Sequence, residues 1–347
     1  MMSLFKHDFS RLKKVLLREG EPDRVPFFEI IVDGKVIEYL TGKAPSISVN
    51  AEFYIKHGYD YVMSSFGIPY RMEKLPAADT SLELTKERRM FINEQKGIIG
   101  NRYEFDTYKW PVVDTEILHK IKKTIEILPD KMKTVILAGD GILESAMALM
   151  GYTQLSFMIY DDPLLINNLF EKLGKDLLKA FELCMKNVNV KSIGAIVIGD
   201  DLGFNTSTII SPDDIRKYIF PWHKKIVELA HRYDLPVILH SCGKLDEIME
   251  DIIDIGYNAK HSFEDNILPV TEAKKKYGDR IAIMGGVDIN VLSTATEKET
   301  RQYVENILDK CMPGGGYALG SGNSITNYIS VKNYLAMLDE GRKKGVY

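Results

Sequence analysis

Short apolar segments alternate with amphipathic segments along the chain, and this alternation constrains the fold more than any other feature. Runs rich in β-branched residues, such as "IGAIVIGDD" at 193–201 and "PVILHSCG" at 236–243, are separated by segments of helical period such as "DPLLINNLFEKLGKDLLKAFELCM". Buried strands that alternate with helices indicate a parallel sheet covered on both faces.

Eight strands are predicted, and a (β/α)8 TIM barrel accounts for them better than an open doubly wound sheet. No GxGxxG or Walker-type loop follows the first strand, which weakens a nucleotide-binding alternative. Residues 81–112 interrupt the alternation and predict a hairpin inserted after strand 2. No Pro/Gly/Ser-rich linker divides the chain, so residues 1–347 are predicted to form one α/β domain. The predicted strands are 25–31, 59–65, 134–140, 193–201, 236–243, 257–264, 281–288 and 317–324.

Composition narrows the class of partner. The net charge of -4 gives no general attraction to nucleic acid or to an anionic membrane. No apolar run approaches the roughly 20 residues needed to cross a bilayer, and the N-terminus lacks the apolar core of a secretory signal. Three widely spaced cysteines, Cys184, Cys242 and Cys311, favour a reducing, cytoplasmic setting over a disulfide framework. We expect a monomer or homodimer with a small-molecule substrate.

Polar residues follow the predicted strands at their carboxyl ends, which surround the active-site mouth of a barrel. Turn-forming polar residues are expected after any strand, and that explanation covers part of the set. It does not readily cover His240, Cys242 and Glu264. The complete set is Glu29, Ser64, Asp140, Asp200, Asp201, His240, Cys242, His261, Glu264, Asp288 and Ser321.

The segment "VILHSCG" at 237–243 predicts a metal site. Residues two apart on a strand share a face, so His240 and Cys242 can both face the mouth. Imidazole nitrogen and thiolate sulfur are preferred zinc ligands, and catalytic zinc sites keep one position open. Glu264 ends the next predicted strand, and Ser321 lies between two glycines on strand 8. The alternative is a histidine bonded to a backbone carbonyl beside a cysteine that packs as a small apolar side chain.

Several long segments, in this order and spacing, resemble the uroporphyrinogen decarboxylase superfamily. The resemblance covers nearly the whole chain and implies a (β/α)8 barrel. The segments are "GDGILESAMALMGYTQLSFMIYDDPLL", "IGDDLGFNTSTIISPDDIRKYIFPWHKKIV", "ILHSCGKLDEIMEDIIDIGYNAKHSFE", "YGDRIAIMGGVDI" and "GGGYALGSGNSITNYISVKNYLAMLDEGRK".

One branch of that superfamily, the uroporphyrinogen decarboxylases, is metal-free and carries an Arg-Gln-Ala-Gly-Arg stretch after the first strand. This chain has no arginine from Ile30 to Ile68, and its second predicted strand ends "VMSSFG" without the aspartate of the decarboxylases. Strand 8 has Gly-Ser-Gly where decarboxylases have Gly-His-Gly. A substrate with many carboxylates needs guanidinium partners, so decarboxylation is disfavoured.

The other branch resembles this chain more closely, and it contains the cobamide-dependent methyltransferases of the methylcobamide:coenzyme M type. The resemblance implies zinc on His240 and Cys242, and a methylated corrinoid carried by a partner protein. Cobalamin-independent methionine synthase, whose zinc site is similar, has a glutamate 22 residues after its first cysteine, which corresponds to Glu264. Ser321 occupies the position of a later ligand cysteine. Because serine is a poor zinc ligand, either three protein ligands hold the metal or zinc has been lost or replaced.

Four further residues are predicted to orient ligands or contact the substrate, or else to make strand-end hydrogen bonds. They are Asp200, Asp201, His261 and Asp288. The resemblance leaves the acceptor open: a thiol such as coenzyme M, a methoxylated aromatic or a methylamine. Two other functions also stay open, uroporphyrinogen decarboxylation and non-catalytic binding of a corrinoid or tetrapyrrole.

Overall fold

The computed structural model describes residues 6–76, 90–93, 97–139 and 141–347. Within these ranges seven parallel strands form one sheet in chain order, and two further strands form an antiparallel pair. The parallel strands are β1 (Tyr61–Phe66), β4 (Lys133–Ala138), β5 (Ile193–Gly199), β6 (Val237–His240), β7 (Ala259–His261), β8 (Ala282–Met284) and β9 (Tyr317–Ala318). The antiparallel pair is β2 (Lys74–Pro76) and β3 (Met90–Ile92).

Helices connect the parallel strands, as the alternation in the sequence predicts. They are α1 (Ser10–Leu17), α2 (Gly34–Thr41), α3 (Ile47–Lys56), α4 (Arg102–Thr107), α5 (His119–Glu126), α6 (Ile142–Met150), α7 (Tyr152–Asp161), α8 (Pro163–Asn187), α9 (Pro212–Asp214), α10 (Phe220–His231), α11 (Met249–Ile255), α12 (Val270–Tyr277), α13 (Ile289–Thr294), α14 (Glu297–Cys311) and α15 (Val331–Lys344). Short 3-10 turns span Thr115–Leu118 and Val190–Ser192, and a π-helical turn spans Ile215–Ile219. None of the helices in the described ranges is both long and apolar enough to cross a bilayer.

The core lies between the sheet and the helices. All seven residues of β5 are buried, which explains why this strand is a continuous apolar run rather than an alternating one. On the outside, α5 packs against β1 and β4, and α12 packs against β8. The parallel α/β architecture with a TIM-like order of strands is therefore confirmed.

The predicted first strand, 25–31, does not join the sheet as a ladder. Phe27 makes an isolated parallel bridge to Leu319, just after β9. Pro26 has no N–H to donate, so only its carbonyl pairs, accepting the N–H of Leu319 at 2.9 Å. On the other side, the hydroxyl of Tyr61 in β1 donates to the carbonyl of Glu29 at 2.7 Å. The segment thus lies beside β9 and reaches β1 through a side chain. Within the described ranges the sheet has seven strands rather than the predicted eight.

In the described part of residues 81–112, the secondary structure differs from the predicted hairpin. Most of its first half, residues 81–89 and 94–96, lies outside the described residues. The antiparallel pairing begins earlier, with Lys74 opposite Ile92, and residues 102–107 form α4 rather than a strand. The hairpin predicted over residues 81–112 is not confirmed.

Candidate metal centre

The register of the sheet brings the carboxyl ends of β5, β6 and β7 together. Gly199 of β5 pairs with His240 of β6, and His240 pairs with His261 of β7. The residues that follow neighbouring parallel strands emerge at the same edge, so Asp201 after β5 reaches Cys242 after β6. Residues from three strands meet at this edge.

Asp201, His240 and Cys242 form a compact group of metal-ligating side chains. Within the described ranges it is the one set of three or more His, Cys, Asp or Glu residues whose ligand atoms all lie within 4.8 Å of one another. Nε2 of His240 lies 3.8 Å from Oδ1 of Asp201 and 3.8 Å from Sγ of Cys242. Two ligands of one tetrahedral zinc ion are roughly 3–4 Å apart, so these separations suit a single ion.

His240 is held by a second histidine. Its Nδ1 lies 2.8 Å from Nδ1 of His261, and the two rings are stacked with centroids 5.0 Å apart. Burial lowers the pKa of His240 to about 4, against the opposing effect of the Asp201 carboxylate. Burial, with the neighbouring His240, also lowers the pKa of His261 far below its ordinary value. Both rings are therefore neutral at physiological pH, one Nδ1–H donates to the other Nδ1, and Nε2 of His240 lies towards Asp201 and Cys242.

Two hydrogen-bond donors point at the Cys242 sulfur. Asn323 Nδ2 donates to Sγ at 3.2 Å, and Ser262 Oγ donates to Sγ at 3.5 Å. Burial raises the pKa of the Cys242 thiol, and Asp201 raises it further. Sequence reasoning missed both donors, because β9 ends at Ala318 and no strand period gives the direction of the Asn323 side chain.

The backbone around the cysteine is tightly packed. Ser262 has φ +81°, a left-handed conformation that serine adopts only when its surroundings impose it. The Lys260 ammonium donates to the Ser262 carbonyl. Gly243 also has a positive φ, and a Cβ there would lie 2.2 Å from the carbonyl carbon of Gly203. This close approach of the loops after β5 and β6 holds Asp201 beside the cysteine.

For Asp200, one of the two predicted roles was a hydrogen bond at the end of a strand, and the structure shows such contacts. The Asp200 carboxylate accepts the backbone N–H groups of Ile142, Leu143 and Glu144 at 2.9–3.3 Å, the first turn of α6. It also lies 3.1 Å from Nε2 of His223. Because a carboxylate stabilises a helix N-terminus, Asp200 anchors α6 to the end of β5.

Asp288 is likewise a helix cap rather than a cleft residue. Its Oδ1 accepts the N–H groups of Asn290 and Val291 at the start of α13, and its Oδ2 accepts the N–H of Asp265. Ser64, another predicted mouth residue, accepts a hydrogen bond from Thr124. Asp140 lies outside the described residues.

Ser321, predicted as a metal ligand, is hydrogen-bonded to Glu29. Its hydroxyl donates to Oε2 of Glu29 at 2.5 Å, and its N–H donates to Oε1 at 2.8 Å. Both residues are fully buried, and burial raises the pKa of Glu29 to about 8. The adjacent Gly320 permits this contact, since a Cβ there would lie 1.7 Å from the Phe28 carbonyl oxygen. Ser321 is therefore tied to Glu29 in the protein interior.

Glu264, predicted as the third metal ligand, lies at the same mouth but outside the ligand group. Strand β7 ends at His261, so Glu264 is in the following loop and its direction does not follow the strand period. It lines a cleft of about 530 Å³ together with Asp201 and Cys242. Asp201, rather than Glu264, has its ligand atom within 4.8 Å of those of His240 and Cys242.

Comparisons with known proteins agree with this architecture. The sequence profile of the family described as Uroporphyrinogen decarboxylase (URO-D) matches residues 79–343. A methyltransferase from Methanosarcina mazei has a similar structure, with a TM-score of 0.71 and 17% identity, over 97% of this chain and 99% of that one. At that identity the likeness concerns the fold.

Curated relatives carry two names. Uroporphyrinogen decarboxylase of Thioalkalivibrio sulfidiphilus is 24% identical over 56% of this chain and 53% of its own length. The uroporphyrinogen decarboxylase of Anaeromyxobacter dehalogenans is 23% identical over 70% of this chain and 69% of its own length. Methylcobamide:CoM methyltransferase MtaA of Methanosarcina barkeri is 27% identical over 38% of each chain. The matches thus span about half of the first decarboxylase and little more than a third of the methyltransferase.

The family profile covers most of the chain, and both the decarboxylases and the methylcobamide methyltransferases are among its relatives. The resemblance inferred from the sequence is confirmed: this chain belongs to the uroporphyrinogen decarboxylase family.

Proposed function

We propose that this protein is a zinc-dependent methyltransferase of a corrinoid system. It moves a methyl group between a corrinoid, carried by a partner protein, and a small thiol or comparable acceptor. The observation that carries the proposal is the group of Asp201, His240 and Cys242 at the edge of an open cleft. The name of the Methanosarcina barkeri relative, a methylcobamide:CoM methyltransferase, supports the same class of reaction.

The three side chains fit a zinc ion by their chemistry. Imidazole nitrogen, thiolate sulfur and carboxylate oxygen are the ligands of catalytic zinc sites, which typically have three protein ligands and one open position. Asp201 and Cys242 both line the cleft, so the open position is accessible to a substrate. A zinc ion held there would act as a Lewis acid that lowers the pKa of a thiol at that position.

The protein's own residues prepare this site. His261 holds the ring of His240 through the Nδ1 contact. In the tautomer in which Nδ1–H of His240 donates to Nδ1 of His261, Nε2 of His240 is left for the metal. Asn323 and Ser262 donate hydrogen bonds to Sγ of Cys242 and so favour its thiolate form and its orientation. The low pKa of His240 keeps its ring in the neutral form that can bind a metal.

The proposed transfer is a displacement at the methyl carbon. The substrate sulfur forms a bond to that carbon while the carbon–cobalt bond of the methylated corrinoid breaks. The electron pair of that bond stays on cobalt, and the proton of the thiol leaves to the solvent that fills the cleft. No other oxidant or reductant is required.

Uroporphyrinogen decarboxylation is the second candidate, favoured by the names of several relatives. The cleft argues against it. A substrate with many carboxylates needs arginine partners, yet no arginine occurs between Ile30 and Ile68. Among the described residues that line the cleft, the charged side chains are carboxylates: Glu144, Asp201 and Glu264.

A methyl-transfer assay tests the proposal. Purified protein is incubated anaerobically with methylcobalamin and 2-mercaptoethanol, loss of the carbon–cobalt absorbance is followed, and the methyl thioether is identified by mass spectrometry. We expect wild type to accelerate the transfer and Cys242→Ala to abolish the acceleration. Cys311→Ala, which removes a buried thiol in α14 far from this edge of the sheet, serves as the matched control.

The same preparations are then offered uroporphyrinogen. Methyl transfer that does not depend on Cys242, or no transfer with any thiol, would contradict the proposal. Formation of coproporphyrinogen by wild type would establish the second candidate instead.

A further inference from the structure

We infer that the cleft takes a substrate whose end away from the reacting atom carries a positive charge, such as an ammonium group. The inference rests on the proposed function, because it concerns the substrate of the same site. Its basis is the charge and the aromatic character of the cleft wall, rather than the metal group.

The charged side chains that line the cleft in the described part of the chain are all acidic. Asp201 belongs to the metal group, and Glu144 accepts the N–H of Gly141 at the start of α6. Glu264 is only partly buried, and its carboxylate makes no hydrogen bond or ion pair within the described ranges. It is therefore available to a cationic group of a substrate.

Lys260 of β7 interacts electrostatically with Cys242, Glu264 and Asp201, but its side chain does not line the cleft. Lys260 of β7 is buried, its ammonium donates to the Ser262 carbonyl, and it lies 4.2 Å from the centre of the Phe263 ring. It lines a separate small cavity of about 30 Å³ that meets the cleft at Gly243 and Glu264. If zinc were bound, the charges of Asp201 and the Cys242 thiolate would offset the two charges of the ion, and Glu264 would remain as a carboxylate of the cleft lining.

Two aromatic side chains complete the wall. Tyr152 at the start of α7 and Phe204 in the loop after β5 both line the cleft, with 44% and 64% of their surfaces exposed. Large aromatic rings exposed beside carboxylates suit an organic cation, because the ring face carries partial negative charge. An anionic substrate would instead meet the carboxylate of Glu264, and the described lining of the cleft supplies no cation to offset it.

Three thiols of equal length and different charge test this directly. Cysteamine carries an ammonium, 2-mercaptoethanol is neutral, and 2-mercaptoethanesulfonate carries a sulfonate. The value of kcat/KM with methylcobalamin is measured for each, in wild type, in Glu264→Gln and in Glu228→Gln. Glu228 is an exposed glutamate on α10 that does not line the cleft and serves as the matched control. Binding of each thiol without the methyl donor is measured by calorimetry, and zinc is counted in every preparation.

We expect wild type to prefer cysteamine, then the neutral thiol, then the sulfonate. Removing one carboxylate close to the ligand in a solvated cleft should lower the cysteamine-to-sulfonate ratio about fivefold in Glu264→Gln. The intrinsic reactivity of each thiol cancels when the two proteins are compared with the same thiol. Added salt should weaken the preference in wild type. Glu228→Gln should behave as wild type, and Glu264→Gln should keep its zinc.

Equal or reversed preference in wild type, in turnover and in binding, would overturn the inference while leaving the proposed function intact. Loss of zinc in Glu264→Gln would overturn it as well, because Glu264 would then be a metal ligand. If no thiol is methylated, the proposed function fails. The calorimetric order of the three ligands then still decides whether the cleft selects cations.

Discussion

Replacing Glu29 with glutamine should make the stability of the protein less dependent on pH. Glu29 is fully buried, and its two oxygens accept the hydroxyl and the N–H of Ser321 at 2.5 and 2.8 Å. Glutamine has the same shape and can still pair with Ser321 through its amide oxygen and nitrogen. The substitution therefore removes a titratable group and little else.

The magnitude follows from the pKa of Glu29, which burial raises from its ordinary 4.5 to about 8. Below pH 4.5 the folded and unfolded states both hold the proton. Between pH 4.5 and 8 only the folded state holds it, so the free energy of unfolding of wild type falls as the pH rises. The total loss is about 5 kcal/mol, at about 1.4 kcal/mol for each pH unit, and it is complete above pH 8. Glu29→Gln does not suffer this loss.

Equilibrium denaturation by urea at half-unit steps from pH 5 to pH 9 measures the effect. The quantity of interest is the difference in free energy of unfolding between Glu29→Gln and wild type, in which other titrating groups cancel. As the pH rises towards 8, the free energy of unfolding of Glu29→Gln should increase relative to that of wild type. The exposed Glu228→Gln should show a flat difference. A flat difference for Glu29→Gln as well would mean that Glu29 titrates normally in the folded protein and would refute the reasoning.

Three further outcomes follow from the placement of other residues. Asp200→Ala should lower the free energy of unfolding by about 3 kcal/mol or more. The substitution removes the cap of α6 and leaves His223 buried without its Asp200 partner. Denaturant titration measures the loss. Ser321→Cys should leave zinc affinity unchanged in competition with a chelator, because the side chain is bonded to Glu29; tighter binding would place residue 321 at the metal. Uroporphyrinogen should not be consumed by the pure protein, and coproporphyrinogen in the products would show otherwise.

The parts of the site that obey a local period were predictable from the sequence. His240 ends β6 and Cys242 follows two residues later, and the structure brings the two side chains together. The parallel strands and connecting helices were also predictable, because apolar runs and helical periods are local signals. The segment at 25–31 was predicted as a strand, but it makes only an isolated bridge to Leu319, because Pro26 has no N–H to donate to a ladder.

Other contacts of the predicted site residues join distant segments, and the sequence did not indicate them. Asp200 and Asp201 are adjacent in the sequence, yet Asp200 caps α6 while Asp201 lies beside His240 and Cys242. Only the packing of α6 against the end of β5 distinguishes the two. The partner of Ser321 is Glu29, 292 residues earlier in the chain. Glu264 was assigned from its distance to Cys242 along the chain, yet it lies in a loop whose direction no strand period fixes. Spacing alone cannot resolve such choices.

Zinc content is the most direct test of the central claim that Asp201, His240 and Cys242 hold a catalytic metal. The protein is purified without chelator, and zinc per chain is measured by mass spectrometry in wild type, Asp201→Ala, His240→Ala and Cys242→Ala. Ser321→Ala is included as a control outside the ligand group, and circular dichroism confirms that each variant is folded. We predict about one zinc ion per chain in wild type and in Ser321→Ala, and a large loss in the other three. Wild type without zinc, or equal zinc in all five proteins, would contradict the assignment.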